Sequence, residues 1–290
     1  MPTELPDLFR FADGSRVRTP QDWRRRRQEL LELIQAIEYG RLPPTPPVVA
    51  GELLHPNIVE RVNQARHNQY RISIGKDRSF WFLLDVLIPA GDGPFPVVVN
   101  GDACWRPVVD PIAQEVLRRG NILAQFNRVE NVPDSYSSER TSGLYLVYPD
   151  GDFGALAAWA WGYHRSIDFL LTLKEVDATK IVACGHSRGG KTALLAGATD
   201  ERIAITNPNN SGCGGAGSYL CQGPGSKALP DTRKAIPYWF SPRLFDYVGR
   251  EAELPFDQHA VKALIAPRAL LSTEALGDPW ANPSGTWQTH

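Results

Sequence analysis

The sequence predicts a three-layer α/β domain, a mostly parallel sheet covered by helices on both faces. Two observations predict it: β-like stretches crowd the first half of the chain, and strands then alternate with helices through the second. Such alternation is the signature of βαβ units, whose crossover helices cover a parallel sheet. With 290 residues, 42% of them hydrophobic, the chain has ample material for a large core. We read residues 1–290 as one domain, with residues 1–50 supplying a helix and a proline-rich lead-in. The charge is balanced, 31 basic against 32 acidic residues, which argues against partners held by bulk electrostatics such as nucleic acid or a membrane surface. No apolar run approaches the ~18 residues of a membrane-spanning helix. The first residues carry no basic-then-apolar leader. Four cysteines without a CxxC pair form neither a disulfide scaffold nor a zinc site, so no metal or cofactor is expected; whether they pair stays open.

Taken in order, Thr19 and Pro20 open a helix that Gly40 closes, with Trp23, Leu30, Ile34 and Ile37 on its buried face. The run Arg24–Arg27 is expected on its solvated side. LPPTPPVVAG follows and cannot be helical. HNQYRISIG, SFWFLLDVLIP and FPVVVNG read as strands, with a turn at GDGP. Helix DPIAQEVLRRG, strand NILAQFN, the long helix ALAAWAWGYHRSIDFLLTL, strand KIVACG, helix KTALLAGA and strand IAITNPN come next. Gly212–Pro230, rich in Gly, Ser and Pro, reads as a long loop, a feature that is functional or disordered in most compact domains. LIAPRALLSTE reads as one more buried strand. Antiparallel strands first and parallel ones after is the order of an α/β-hydrolase.

The sharpest motif is Gly185-His186-Ser187-Arg188-Gly189, placed where an apolar strand meets a helix. A nucleophile elbow needs that strand–turn–helix setting, and its glycines admit close neighbouring backbone. Ser187 is therefore the candidate nucleophile, and the backbone N–H of Arg188 can face a developing oxyanion.

Four blocks in order, GHSRGGKTALLAGATDERI, NPNNSGCGGAG, YWFSPRLFDYV and LPFDQHAVKALIAPRALLSTEALGDPWANPSG, resemble the glucuronoyl esterases of carbohydrate esterase family 15, especially bacterial members. The likeness runs from about residue 80 to the end. It implies an α/β-hydrolase fold, no metal, and cleavage of esters joining 4-O-methyl-glucuronic acid on xylan to lignin alcohols. It also implies export or a periplasmic location. By resemblance, Ser187 is the nucleophile, Arg188 supplies the oxyanion hole with amide and side chain, Lys191 binds sugar hydroxyls and Trp239 lines the sugar pocket. The substrate expected is glucuronoxylan or a lignin–carbohydrate ester; a monomer is expected, with no nucleic-acid or membrane partner.

Two departures stand out. Asn210 occupies the place where fungal members carry a glutamate, so the acid is expected after the next-to-last strand, at Asp278 in preference to Glu274. The histidines are at 55, 67, 164, 186, 259 and 290, and only His290 follows Asp278, too closely for the fold's usual order. The catalytic histidine is therefore expected to be missing, as though the chain were cut short. Lys227 stands where bacterial members often carry an acidic sugar contact. Two rival readings remain: a broader carboxylesterase such as an acetylxylan esterase, and a catalytically inactive carbohydrate-binding relative or fragment.

Overall fold

In the computed structural model, residues 4–59, 64–104, 108–135 and 140–290 are described. The strands are β1 (Val49–Val59), β2 (Ala65–Ile74), β3 (Phe80–Ile88), β4 (Phe95–Asn100), β5 (Ile122–Phe126), β6 (Val176–His186), β7 (Ile203–Asn209) and β8 (Ala269–Leu270). They form a single sheet in the order β1-β2-β3-β5-β4-β6-β7-β8. The β1–β2, β2–β3 and β3–β5 pairs are antiparallel; β5–β4, β4–β6, β6–β7 and β7–β8 are parallel. The expected order of antiparallel strands followed by parallel ones is thus present, with helices flanking the sheet.

The helices are α1 (Pro20–Ile34), α2 (Asp110–Arg118), α3 (Leu144–Val147), α4 (Ala155–Leu170), α5 (Arg188–Thr199), α6 (Leu229–Ala235), α7 (Gln258–Ala263) and α8 (Pro283–Gln288). Thr19 caps α1 reciprocally with Asp22, each side chain accepting the other's backbone N–H, and a five-residue π turn carries the helix on to Tyr39 before Gly40. On β3, Phe80, Phe82, Leu84, Val86 and Ile88 alternate inward at the strand period. Their rings meet α4 and β5: Phe80 lies edge-on to Trp161 and Phe82 against Phe126. The helix α4 is buried almost all round, as expected of a helix packed between sheet and neighbours.

Four sequence expectations need correction. β1 was not expected: it begins at the end of the proline-rich lead-in and runs on to Val59, and as an edge strand it tolerates Pro56, since one side of its ladder has no partner strand. The strand expected over 264–274 is present only as β8, Ala269–Leu270, and it is not buried. Leu264 and Ile265 are buried at the end of α7, and β8 is two residues long at the opposite edge, followed by a 56% exposed Leu271. The arginine run is not simply solvated. Arg26 is buried, with Nε donating to Leu8 O, and Arg27 reaches Leu264 O and Ala198 O, clasping α1 to α7 and α5. The long loop ends at Ala228, because Leu229 and Pro230 begin α6; Ser211–Tyr219 is a buried, bonded segment rather than a disordered one.

Candidate active site

Ser187 joins β6 to α5 at φ 54° and ψ −115°, a conformation that a non-glycine residue adopts only when its surroundings enforce it. They do. Its N–H donates to Asn209 O (2.9 Å) on β7, and its carbonyl accepts from Lys191 N–H (3.0 Å). A Cβ on Gly185 would lie 2.3 Å from Gly189 O, and one on Gly189 would lie 1.9 Å from Asp102 Oδ1, so the turn closes only with hydrogen at both positions.

Asp102, just after β4, accepts the His186 N–H (2.8 Å) and pairs with the fully buried Arg128. Burial raises the Asp102 pKa; Arg128 opposes that shift. The sequence reading singled out this loop as a source of an oxyanion donor but named no residue. Trp105, Arg106 and Pro107 of the loop lie outside the described residues. What was missed is Asp102, a lone carboxylate straight after an apolar strand, which is the signal that could have found it.

Arg188 Nη1 donates to Asp134 Oδ2 at 2.6 Å, and its guanidinium lies over the Trp239 ring, 5.0 Å from the centroid. Trp239 is buried, edge-on to Trp159, with its indole N–H donating to Asp134 Oδ1 (2.9 Å). Arg188 and Trp239, 51 residues apart in sequence (239 − 188), are thus brought together. Asp134 was not anticipated. Lys191 is buried too: its amine donates to Ser211 O, and desolvation pulls its pKa down to about 8. Beneath the 211–220 loop, Tyr219 and Gln258 both donate to the fully buried Glu38, whose carboxyl is pushed up to about 7, chiefly by desolvation. Lys227 lies 5.4 Å over the Trp280 ring.

The two candidate acids part company. Asn210, with φ 43°, binds the segment after β8 at both ends: its Oδ1 accepts the Ala275 N–H (2.8 Å) and its Nδ2 donates to Asp278 Oδ2 (3.2 Å). Asp278 is thereby tied to the residue following Asn209, the partner of the elbow. Glu274 lines a cavity of about 560 Å³ together with Ser272, Leu276, Thr286, Trp287 and His290. Burial pushes its carboxyl up to about 7, opposed by the Thr286 hydroxyl and the Lys262 and Lys191 amines.

Four of the six histidine rings have hydrogen-bond partners away from the Ser187 hydroxyl. His67 pairs with Asp85, His164 sits at Ala196 O with its pKa pulled down to about 4 by burial, His186 Nδ1 is 2.6 Å from Asn209 Oδ1, and His259 is 2.7 Å from Pro6 O. His290 borders the Glu274 cavity and His55 lies on edge strand β1. Among the described residues no histidine ring is hydrogen-bonded to the Ser187 hydroxyl. All four cysteines are free thiols.

Sheet order and elbow define an α/β-hydrolase. A profile described as glucuronyl esterase, fungi, matches residues 72–290. A 4-O-methyl-glucuronoyl methylesterase of Podospora anserina is 33% identical over 98% of this chain and 58% of its own length. The chain belongs to the glucuronyl esterase family. It spans between 58% and 75% of the length of the curated relatives it matches. Among solved structures, a family 15 glucuronoyl esterase from Caldicellulosiruptor kristjansonii superposes with a TM-score of 0.83 at 31% identity, covering 99% of this chain and 79% of that one. A mutant glucuronoyl esterase from Sporotrichum thermophile, in complex with methyl 4-O-methyl-β-D-glucopyranuronate, gives 0.79 at 28%, covering 99% and 75%. The likeness therefore extends to fungal as well as bacterial proteins.

Proposed function

We propose that this chain is a serine carboxylic-ester hydrolase acting on 4-O-methyl-glucuronoyl esters that join xylan to lignin alcohols in lignocellulose. The observation that carries the reading is the strained Ser187 elbow beside a guanidinium stacked on Trp239, in a chain of this family. Ser187 Oγ attacks the C6 carbonyl, an O–C bond forms, and the oxyanion faces the Arg188 N–H and guanidinium. The C–O bond to the alcohol then breaks, the alcohol leaves with the proton taken from Ser187, and water hydrolyses the acyl-enzyme. Lys191 holds the sugar hydroxyls, and Trp239, buried under the Arg188 guanidinium, backs that guanidinium. Asp278 is the acid, its place supported by its bond to Asn210, which stands where fungal members carry a glutamate, and by resemblance to some bacterial members. By the family resemblance the proton acceptor on Ser187 is a histidine that Asp278 would orient; none of the described histidines stands there.

The test is hydrolysis of benzyl glucuronate, with 4-nitrophenyl acetate beside it. Ser187→Ala is expected to remove uronate turnover by at least ~10³-fold, Asp278→Asn to lower it by about 10²-fold or more, and Glu274→Gln to leave it within about 3-fold. Turnover of acetate alone would sink the uronate assignment, and a larger loss in Glu274→Gln would transfer the acid role. The placement of the histidines favours one second reading, a protein that binds uronate sugars without consuming them. Calorimetric binding of glucuronate with no turnover would establish it.

A further inference from the structure

Two asparagines in succession follow the strand beside the elbow, and they bond both to the elbow and to the segment that carries the acid. Asn209 O accepts the Ser187 N–H, and its side chain reaches from His186 Nδ1 (2.6 Å) to Thr273 O (3.2 Å) and Oγ1 (2.9 Å). Asn210 donates its own N–H to Thr273 O (2.9 Å), and its side chain reaches from the Ala275 N–H to Asp278 Oδ2. The left-handed φ of 43° at Asn210, a conformation asparagine adopts more readily than most residues, lets the two consecutive side chains serve different partners.

Neither amide can be turned over. An asparagine accepts at its oxygen and donates at its nitrogen. Thr273 O can only accept, so Asn209 Nδ2 faces it, and Oδ1 receives the proton of His186 Nδ1. The Ala275 N–H can only donate, so Asn210 Oδ1 faces it, and Nδ2 faces Asp278. A donor on a carboxylate makes a charge-assisted bond, and engaging Oδ2 sets the direction in which Oδ1 points. Among the described residues neither asparagine side chain bonds to Glu274, so the bridge also distinguishes the two candidate carboxylates.

We propose that Asn210 is the positioning residue of the acid, holding Asp278 at a fixed place relative to Ser187, with Asn209 as the link to the elbow. This rests on the reading above, in which Asp278 is the acid. Asn210→Ala removes both side-chain bonds and is expected to lower kcat for benzyl glucuronate about 10-fold with KM within about 3-fold, because Lys191 is untouched. Asn210→Asp keeps an acceptor for the Ala275 N–H but sets a carboxylate against Asp278, and a loss in kcat of about 30-fold is expected. In an Asp278→Asn background Asn210→Ala is expected to add less than about 2-fold, because two residues acting through one bond are not additive. A kcat within about 2-fold of wild type in Asn210→Asp, a loss carried by KM, or full additivity overturns the proposal.

A second measurement needs no turnover: amide hydrogen exchange read at single residues. The Asp278 and Ala281 amides donate to Ala275 O and Asp278 O, so both report on the placing of residue 278. In Asn210→Asp they are expected to exchange at least ~10-fold faster, while the Ala275 amide stays within about 3-fold of wild type. The double variant Asn210→Asp, Asp278→Asn again sets a donor against an acceptor and is expected to return those two rates to within about 3-fold of wild type. Unchanged exchange in the single variant, or no recovery in the double one, overturns the proposal. A wild-type chain that leaves the uronate ester intact defeats the functional reading, and the exchange rates then decide by themselves whether Asn210 places residue 278.

Discussion

The nucleophile and the candidate acid sit on segments built in opposite ways. The elbow is enforced from every side: Gly185 and Gly189 touch neighbouring atoms, Asp102 and Arg128 form a fully buried pair beneath it, and α5 is buried along nearly its whole length. The acid segment follows an edge strand of two residues and is bonded to the end of β7 through Thr273 and the Asn209 and Asn210 side chains, with Leu276 89% and Trp280 60% exposed. Close packing makes the first intolerant of any added atom. The second is held by a few bonds that open locally at small cost. In this molecule the position of the attacking atom is a property of the core, and that of the acid is a property of the surface.

The strongest challenge to the contrast is Arg128→Met. It leaves Asp102 buried and unpaired, and a loss of about 4 kcal/mol is expected, seen as a fall in thermal midpoint of about 10 °C. A midpoint within about 2 °C of wild type would mean that the elbow does not depend on that pair. Next, Gly189→Ala is set against Gly277→Ala. The first drives a methyl into Asp102, which cannot yield, and about 3 kcal/mol is expected to be lost. The second adds a methyl with nothing within 4 Å and is expected to stay within about 0.5 kcal/mol. Equal effects would erase the difference between the segments.

The last comparison is of pH dependence. Glu38 near the elbow and Glu274 on the acid segment are both raised from 4.5 to about 7, but Glu38 has two bonded donors. A carboxyl raised by folding favours the protonated native state, so its contribution is complete below the unfolded value and is lost as pH climbs through the folded one. Wild type is therefore expected to lose on the order of 3 kcal/mol from Glu38 between pH 4.5 and 7. Glu38→Gln is expected to lose none of it, so the gap between urea midpoints at pH 5 and pH 8 should shrink in the variant. An unchanged gap would show that Glu38 does not titrate in this range.

Much of the frame was legible because it is written locally. The α1 cap lies within four residues, β3 declares itself by alternation, and the elbow is a five-residue motif at a strand–helix junction. The failures are where distant residues decide. Asp102 has meaning only beside Arg128, and Asp134 only beside Arg188, Tyr238 and Trp239, between 54 and 105 residues away. β1 was masked by prolines that only an edge position permits, and Leu264-Ile265 looked like a strand because a helix end packed on the core is equally apolar. Lys191 posed a choice between solvated charge and site residue, and burial of its amine removes the first option.

The clasp formed by α1 bears on where the protein can be cut. The profile match begins at residue 72, inside β2, so Arg27, Glu38 and Tyr39 lie upstream of it, while their partners Leu264 and Ala198, Tyr219 and Gln258, and Gly214 lie within it. A polypeptide trimmed to that match would strip β1 from the sheet, bare a raw strand edge to neighbouring molecules, and strand two buried donors without acceptors. The family profile is thus shorter than the stretch that folds, and the difference is a piece of the core.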